Sequence, residues 1–229
     1  MRVKPPRVPP AAQIAFNSTQ GPRVPPGTYT VRMTKGKDVY ETKIEVATDR
    51  RTPYTAAERK AQFDAAMRVR ALFGQMTDLV QQINAVRTQA EAAAAKLPEK
   101  DALRKQLTDL SAKADEIRKK IVATKEGGAI TGEERLREHM DTLYGAIMAY
   151  DGKPTDYQLA RIDALTRELD DVQKAFAALR EGDLAKVNGS LKAQSLPEIS
   201  IPAASPKDGE AGGRPGKEEE DAHAPWERD

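Results

Sequence analysis

The sequence predicts a mainly α-helical fold: long antiparallel helical hairpins forming a four-helix body, with a small N-terminal β-hairpin unit and a disordered C-terminal tail. Three observations carry this. Apolar residues recur every three or four positions almost without interruption from Thr55 to Leu196. A stretch punctuated by Pro22, Pro25, Pro26 and Gly27 leads into strict apolar/polar alternation up to Val46. From Pro202 onward the chain is Pro, Gly, Ser, Ala and charge, with too little apolar area to offset the roughly 1 to 2 kcal/mol of ordering entropy per residue.

The elements follow in chain order. Residues 1–13 form a Pro-rich lead, expected to be extended and mobile, and residues 14–48 a β unit. The prolines fix φ, so the chain arrives at Thr28 extended. Tyr29, Val31 and Met33 then alternate with Thr28, Thr30 and Arg32. Lys35-Gly36-Lys37-Asp38 turns, and Tyr40, Thr42, Ile44 and Val46 alternate with Glu41, Lys43 and Glu45. One face of this hairpin is apolar. Two strands alone are marginal in water, so the pair is expected to pack on a third strand at Gln13-Ile14-Ala15-Phe16, on the helices, or on a domain outside the chain.

Residues 55–196 make the bundle. Thr55 and Glu58 have capping-box spacing, and the first helix carries Phe63, Met67, Val69, Phe73, Met76, Val80, Ile83, Val86 and Ala90 before Leu97-Pro98 ends it. The second carries Leu103, Leu107, Leu110, Ala114, Ile117 and Ile121 in a 4-3-4-3-4 seam and stops at Gly127-Gly128. Thr131 with Glu134 is expected to cap the third, whose seam is Leu136, Met140, Leu143, Ile147 and Tyr150. Thr155 with Gln158 caps the fourth, with Leu159, Ile162, Leu165, Leu169, Val172, Phe176 and Leu179 on one side. Gly182 is expected to break this run, and Asp183 to cap a last short helix carrying Leu184, Val187 and Leu191, with Leu196-Pro197 closing the ordered part. Residues 202–229 form the acidic tail. Its lone Trp226 reads either as a docking residue or as an unconstrained chain end.

The 37 basic and 35 acidic residues leave a formal net charge of +2, which makes no case for nucleic acid as a partner. The charge is uneven: Arg2, Lys4, Arg7 and Arg23 stand without an acid in residues 1–26, while residues 207–229 hold four bases against eight acids. With no cysteine, disulfides and thiolate metal sites are excluded. No apolar run approaches the roughly 20 residues of a membrane span, and the N-terminus lacks the apolar core of a signal peptide.

No catalytic, cofactor-binding or metal-binding residue is expected. His139 follows Glu134 and Glu138, but the second histidine of a zinc helix is absent, since the other, His223, lies in the tail. Ser111, Ser190 and Ser195 lie in helical or helix-end context without a Gly-x-Ser-x-Gly elbow. Glu133 with Glu134, Asp170 with Asp171, and Glu218 to Asp221 are adjacent pairs or runs, which read as solvated surface rather than as carboxylates facing a sugar. Gly127 to Gly132 follows a helix and lacks the Lys-Ser/Thr of a phosphate loop. Arg59, Lys60, Arg68, Arg70, Arg87, Lys105, Arg118, Lys119 and Lys120 alternate with acids, without interleaved aromatics.

The block Gly21-Pro-Arg-Val-Pro-Pro-Gly-Thr-Tyr-Thr-Val-Arg-Met33 with its hairpin, then Leu143-Tyr144-Gly145, Pro154-Thr155, and Asp183-Leu184 through Leu196-Pro197-Glu198-Ile199, resembles the C-terminal region of large bacterial sortilin-like β-propeller proteins. These are often labelled BNR-repeat glycosyl hydrolases. The resemblance spans about residues 14 to 201. It implies that the hairpin is the last part of an Ig-like unit and that the protein is exported, to the periplasm or beyond. Blade repeats and Asp-box motifs are absent, so no catalytic residue is carried over. The expected function is a non-catalytic structural or interaction module whose partner is protein, either a propeller or another chain, or a second copy, met through the β edge. The alternatives are part of a glycoside hydrolase and a free-standing coiled-coil adaptor.

Overall fold

The computed structural model describes residues 1–49, 51–125, 127 and 132–204. Strands β1 (Gly27–Lys35) and β2 (Asp38–Val46) form a two-stranded antiparallel sheet, followed by helices α1 (Ala56–Ala94), α2 (Ala102–Ile121), α3 (Leu136–Met148), α4 (Asp156–Leu179) and α5 (Ala185–Ala193). The mainly helical class and the N-terminal hairpin are as the sequence predicts.

Helix α1 is the axis of the molecule. Its 39 residues extend about 58 Å at about 1.5 Å per residue. The expected box closes its start: the Glu58 carboxylate accepts from the Thr55 N–H at 2.8 Å and the Thr55 hydroxyl oxygen accepts from the Glu58 N–H at 3.2 Å. Val69, Phe73, Met76, Val80, Ile83, Val86 and Ala90 of the predicted stripe are buried, while Phe63 and Met67 are half-buried.

Helix α2 runs back along α1. Glu91 meets Ser111 and Arg87 meets Asp115, a pairing whose residue numbers rise on one helix as they fall on the other. All six seam residues of α2 are buried. Asp101 caps its start by accepting from the Leu103 N–H at 2.7 Å, and Arg118, Lys119 and Lys120 complement the dipole at its end. Helices α3 and α4 pack on α1 and on each other, α2 touches both, and α5 returns against α2.

Three helix boundaries differ from expectation. Helix α2 ends at Ile121, ahead of the expected stop at Gly127-Gly128, because Val122 is already extended. Helix α3 begins at Leu136, so Glu134 lies before the helix; Thr131 lies outside the described residues. Glu138 serves this start instead, accepting from the Arg135 N–H at 3.1 Å. Gly182 does not break α4. A single π turn at Arg180–Leu184 joins α4 to α5, and Asp183 pairs with Lys113 at 2.8 Å instead of capping. The wider turn absorbs the phase difference between the two stripes, so that Leu179, Leu184, Val187 and Leu191 all stay buried. Burial of four apolar residues outweighs the roughly 1 kcal/mol that one glycine costs a helix.

Two extended segments, residues 1–9 and 199–202, are straps on the bundle. The lead is extended, as its prolines dictate, but it is docked rather than free. Arg7 pairs with Asp78 at 2.8 Å, the Thr77 hydroxyl donates to the Arg7 carbonyl, Arg70 donates to the Lys4 carbonyl, and Pro6 and Pro9 are buried. At the other end, order continues past Leu196-Pro197. The Asn188 amide binds both the N–H and the C=O of Ile199, and the Gln89 amide does the same for Ser200. Residues 205–229, with Trp226 and His223, lie outside the described residues, so the expected tail is represented only by Pro202–Ala204.

The expected third strand does not form. Residues 13–16 are irregular and lead into a 3-10 turn at Asn17–Thr19, because their polar backbone is satisfied elsewhere. Arg137 donates to the Gln13 carbonyl, and Asp141 accepts from the N–H groups of Asn17 and Ser18. Gly145 permits this approach, since a Cβ there would meet the Asn17 side chain at 2.4 Å.

Helix α5 ends with Ser195 at φ 57°, with the Leu196 N–H on the Leu191 carbonyl at 2.9 Å and the Ser195 N–H on the Lys192 carbonyl at 3.0 Å. This is a Schellman end with serine where glycine is favoured. Ser195→Gly is expected to raise stability by about 1 kcal/mol, read as an upward shift of the denaturant midpoint at unchanged m-value.

Candidate interaction surface

The hairpin is built from its turn outward. Gly36, at φ +60°, and Lys37 form a two-residue connection, with Lys35 opposite Asp38. The register then sets Met33 opposite Tyr40, Val31 opposite Thr42 and Tyr29 opposite Ile44 on one face. The other face holds Arg32 opposite Glu41, paired at 2.6 Å, with Thr30 opposite Lys43 and Thr28 opposite Glu45. The alternation legible in the sequence is therefore present.

Of the three covers expected for the apolar face, the two within the chain are not seen among the described residues. Among the described residues no third strand and no helix covers the apolar face: Val31 is 40%, Met33 57% and Tyr40 53% exposed, and only Tyr29, Ile44 and Val46 near the foot are half-buried. The foot itself is fixed. The Tyr29 hydroxyl donates to the Pro25 carbonyl at 2.6 Å, Arg2 and Arg23 form an antiparallel bridge, and Arg23 pairs with Asp151, which also holds Arg59. The blade therefore stands clear of a bundle to which its base is tied.

A second concave feature lies beside α3. An open groove of about 590 Å³ is lined by Ala12 to Phe16, Glu134, Arg137, Glu138, Asp141 and Thr142, with Ile14 and Phe16 exposed at its rim. Two of its three acids, Asp141 and Glu138, are committed. Asp141 accepts from the N–H and side-chain amide of Asn17 and from the N–H and hydroxyl of Ser18. Glu138 accepts from Arg137 and from the Arg135 N–H. Glu134 is exposed, 3.6 Å from the imidazole of His139. Asp141 fastens the N-terminal segment to α3 and Glu138 closes the start of that helix; the lone pairs of both point into protein donors rather than toward a shared reacting atom.

Several of the remaining singled-out residues have structural partners. Arg68 pairs with Asp163, Lys60 with Asp64, and Arg87, Arg118 and Lys119 all converge on Asp115. Burial raises the Asp115 carboxyl, but hydrogen bonds from Lys119 and Arg118 and the Arg87 charge outweigh this and hold it below the usual carboxylate range. Ser111 is buried and donates to Glu91, and Ser190 donates to the Lys186 carbonyl within its own helix. Asp170 and Asp171 are exposed on α4. Tyr144, which the seam of α3 did not include, is fully buried edge-on to Phe73, donates to the Gln20 carbonyl, and has its phenol pushed up to about 12 mainly by burial.

Glu133 closes the connection before α3. The Thr124 N–H, then the Arg135 side chain and the Thr124 hydroxyl, hold its carboxyl at about 2. Among the described residues no three His, Cys, Asp or Glu side chains gather as a metal site, and no helix is long and apolar enough to cross a membrane. No protein-family model, curated protein or solved structure matches the chain.

Two outcomes are expected. Met33→Lys should change unfolding free energy by less than about 0.5 kcal/mol in thermal melts, because the side chain is already in water; a packed face would lose about 1.5 to 3 kcal/mol. For Glu133, a carboxyl depressed on folding stabilises above its unfolded value of 4.5 and loses that contribution as pH falls toward about 2. The difference in melting temperature between the native chain and Glu133→Gln should therefore be present at pH 6 and close progressively below about pH 4.5.

Proposed function

We propose that the chain is a non-catalytic structural or interaction module in which the helical bundle is a rigid mount and the hairpin is the docking element. The observation that carries this is an amphipathic strand pair whose apolar face and both edges are left without a covering element among the described residues. The resemblance to the C-terminal accessory region of exported sortilin-like β-propeller proteins supports the same role, and with it a periplasmic or extracellular location. In that setting the partner is a protein surface that accepts a strand pair, and recognition is by main-chain pairing plus alternate side chains.

The hydrolase alternative would draw on the groove beside α3, where Asp141 and Glu138 are already occupied by protein donors. The free-standing adaptor alternative needs seams turned outward, whereas the seams of α2 and α4 are buried within the bundle. A photo-crosslinking residue at Tyr40 is expected to yield a protein adduct in the producing cell, while one at Tyr157, 75% exposed on α4, yields none. Absence of an adduct at both positions overturns the interaction role. Hydrolysis of glycosides by the purified chain that is lost in Glu138→Gln would move the function to the hydrolase alternative.

A further inference from the structure

The free edge of β2 carries a pattern that specifies its own partner. A two-residue turn makes Lys35–Asp38 a hydrogen-bonded pair, and such pairs alternate along an antiparallel ladder. Tyr40, Thr42 and Ile44 therefore direct their backbone groups toward β1. Val39, Glu41, Lys43 and Glu45 direct theirs outward, to the open edge.

We propose that this edge pairs with β2 of a second copy of the chain, antiparallel, about a two-fold axis through Thr42, to give one four-stranded sheet. Only outward-directed residues can face each other as hydrogen-bonded pairs, which leaves few registers. Centring on Glu41 sets like acids opposite, and centring on Lys43 sets like bases opposite; both are destabilising. Centring on Thr42 sets Glu41 against the partner's Lys43 and Lys43 against the partner's Glu41, and it alone among the charge-matched registers overlaps the whole of Asp38–Val46.

The opposite face agrees. Tyr40 falls beside the partner's Ile44 and Thr42 beside the partner's Thr42, so an apolar row of Met33, Tyr40, the partner's Ile44 and the partner's Tyr29 crosses four strands on either side of a central threonine pair. Arg32, already on Glu41 within the chain, extends the charged row to alternate in sign. Seating β1 on the partner's β2 instead would offer one ion pair in place of two and leave a β2 edge open at one end, a head-to-tail contact that does not close. The two-fold mode closes on β2. It also removes the marginal stability of an isolated strand pair.

This rests on the interaction role proposed above, and the tests separate the two. The chain has no cysteine, so Thr42→Cys introduces a single thiol. Opposed residues of a non-hydrogen-bonded pair lie about 4.5 Å apart between Cα atoms, within disulfide reach. Mild oxidation of the full chain is expected to trap a covalent dimer with Thr42→Cys and none with Glu41→Cys. Sedimentation equilibrium should show the unmodified chain dimerising. Glu41→Lys and Lys43→Glu should each weaken that association roughly tenfold or more, and an equimolar mixture of the two should restore it. Circular dichroism checks that each variant keeps the helical bundle.

A chain that stays monomeric to about millimolar concentration with no disulfide at Thr42→Cys overturns the two-fold pairing, as does open-ended association. If such a monomer still gives a Tyr40 adduct with a different protein, the interaction role stands and the self-pairing falls. A disulfide dimer from Glu41→Cys as readily as from Thr42→Cys overturns the register.

Discussion

The structure depends on the need to cover α1 on nearly every side. A helix of 39 residues with Val69, Phe73, Met76, Ile83 and Val86 fully buried cannot be satisfied by one neighbour. The α2 seam takes one flank, and α3 with α4 takes another. Two strips remain, and extended chain fills both. Residues 4–9 lie over Arg70, Gly74 and Thr77, and residues 199–202 lie beside Gln82 and Gln89. Extended chain brings unpaired N–H and C=O groups, which cannot be left buried without partners. The polar residues on those flanks of α1 supply them. Gln89 and Asn188 each present one amide to both backbone groups of a single strap residue, as a neighbouring strand would.

That economy explains why the hairpin stands apart. The bundle's apolar stripes are consumed by its own helices and straps, so no complementary apolar strip is left for Val31, Met33 and Tyr40. At the same time Pro25 and Pro26 fix the direction of departure, while Arg23 on Asp151 anchors the foot. The segment that sequence pattern offered as a third strand is taken by α3 through Asp141, Arg137 and the space above Gly145. Two strands whose greasy face no described element covers are the residue of a packing problem solved without them. Their apolar surface is available to another chain.

What was legible in the sequence is what local physics decides. Thr55 with Glu58, Thr155 with Gln158, and the six-residue seam of α2 needed only side-chain oxygen positions and a period. The alternation of the hairpin was equally local. Periodicity reports which face is apolar, but it is silent on what lies over it. The straps went unread because their sequences carry no period, and their partners Gln89 and Asn188 are 111 and 11 residues away. The π turn went unread because the burial of Leu184 and Val187 on a core assembled from distant elements outweighs Gly182. In the α3 groove, Glu138 and Asp141 share a helix face at a spacing that suits structure and chemistry alike. Only the donors of Asn17, Ser18 and Arg135 decide between them.

The two edges of the sheet are chemically unequal, and this sets how far association through them runs. The outward residues of β1 are Thr28, Thr30, Arg32 and Thr34, opposite the outward residues of β2 in the register. Two β1 edges in full overlap set threonine against threonine and threonine against Arg32, with no attraction between charges. At the foot of β1, Pro25 and Pro26 have no N–H to offer a neighbour. The β2 edge has acid and base two residues apart, so a two-fold axis between them makes each the complement of the other. A sheet grown on β2 is therefore finished after one addition, with the blunter edge outward on both sides. In this way an exposed strand pair can favour a closed pair of chains over a fibre.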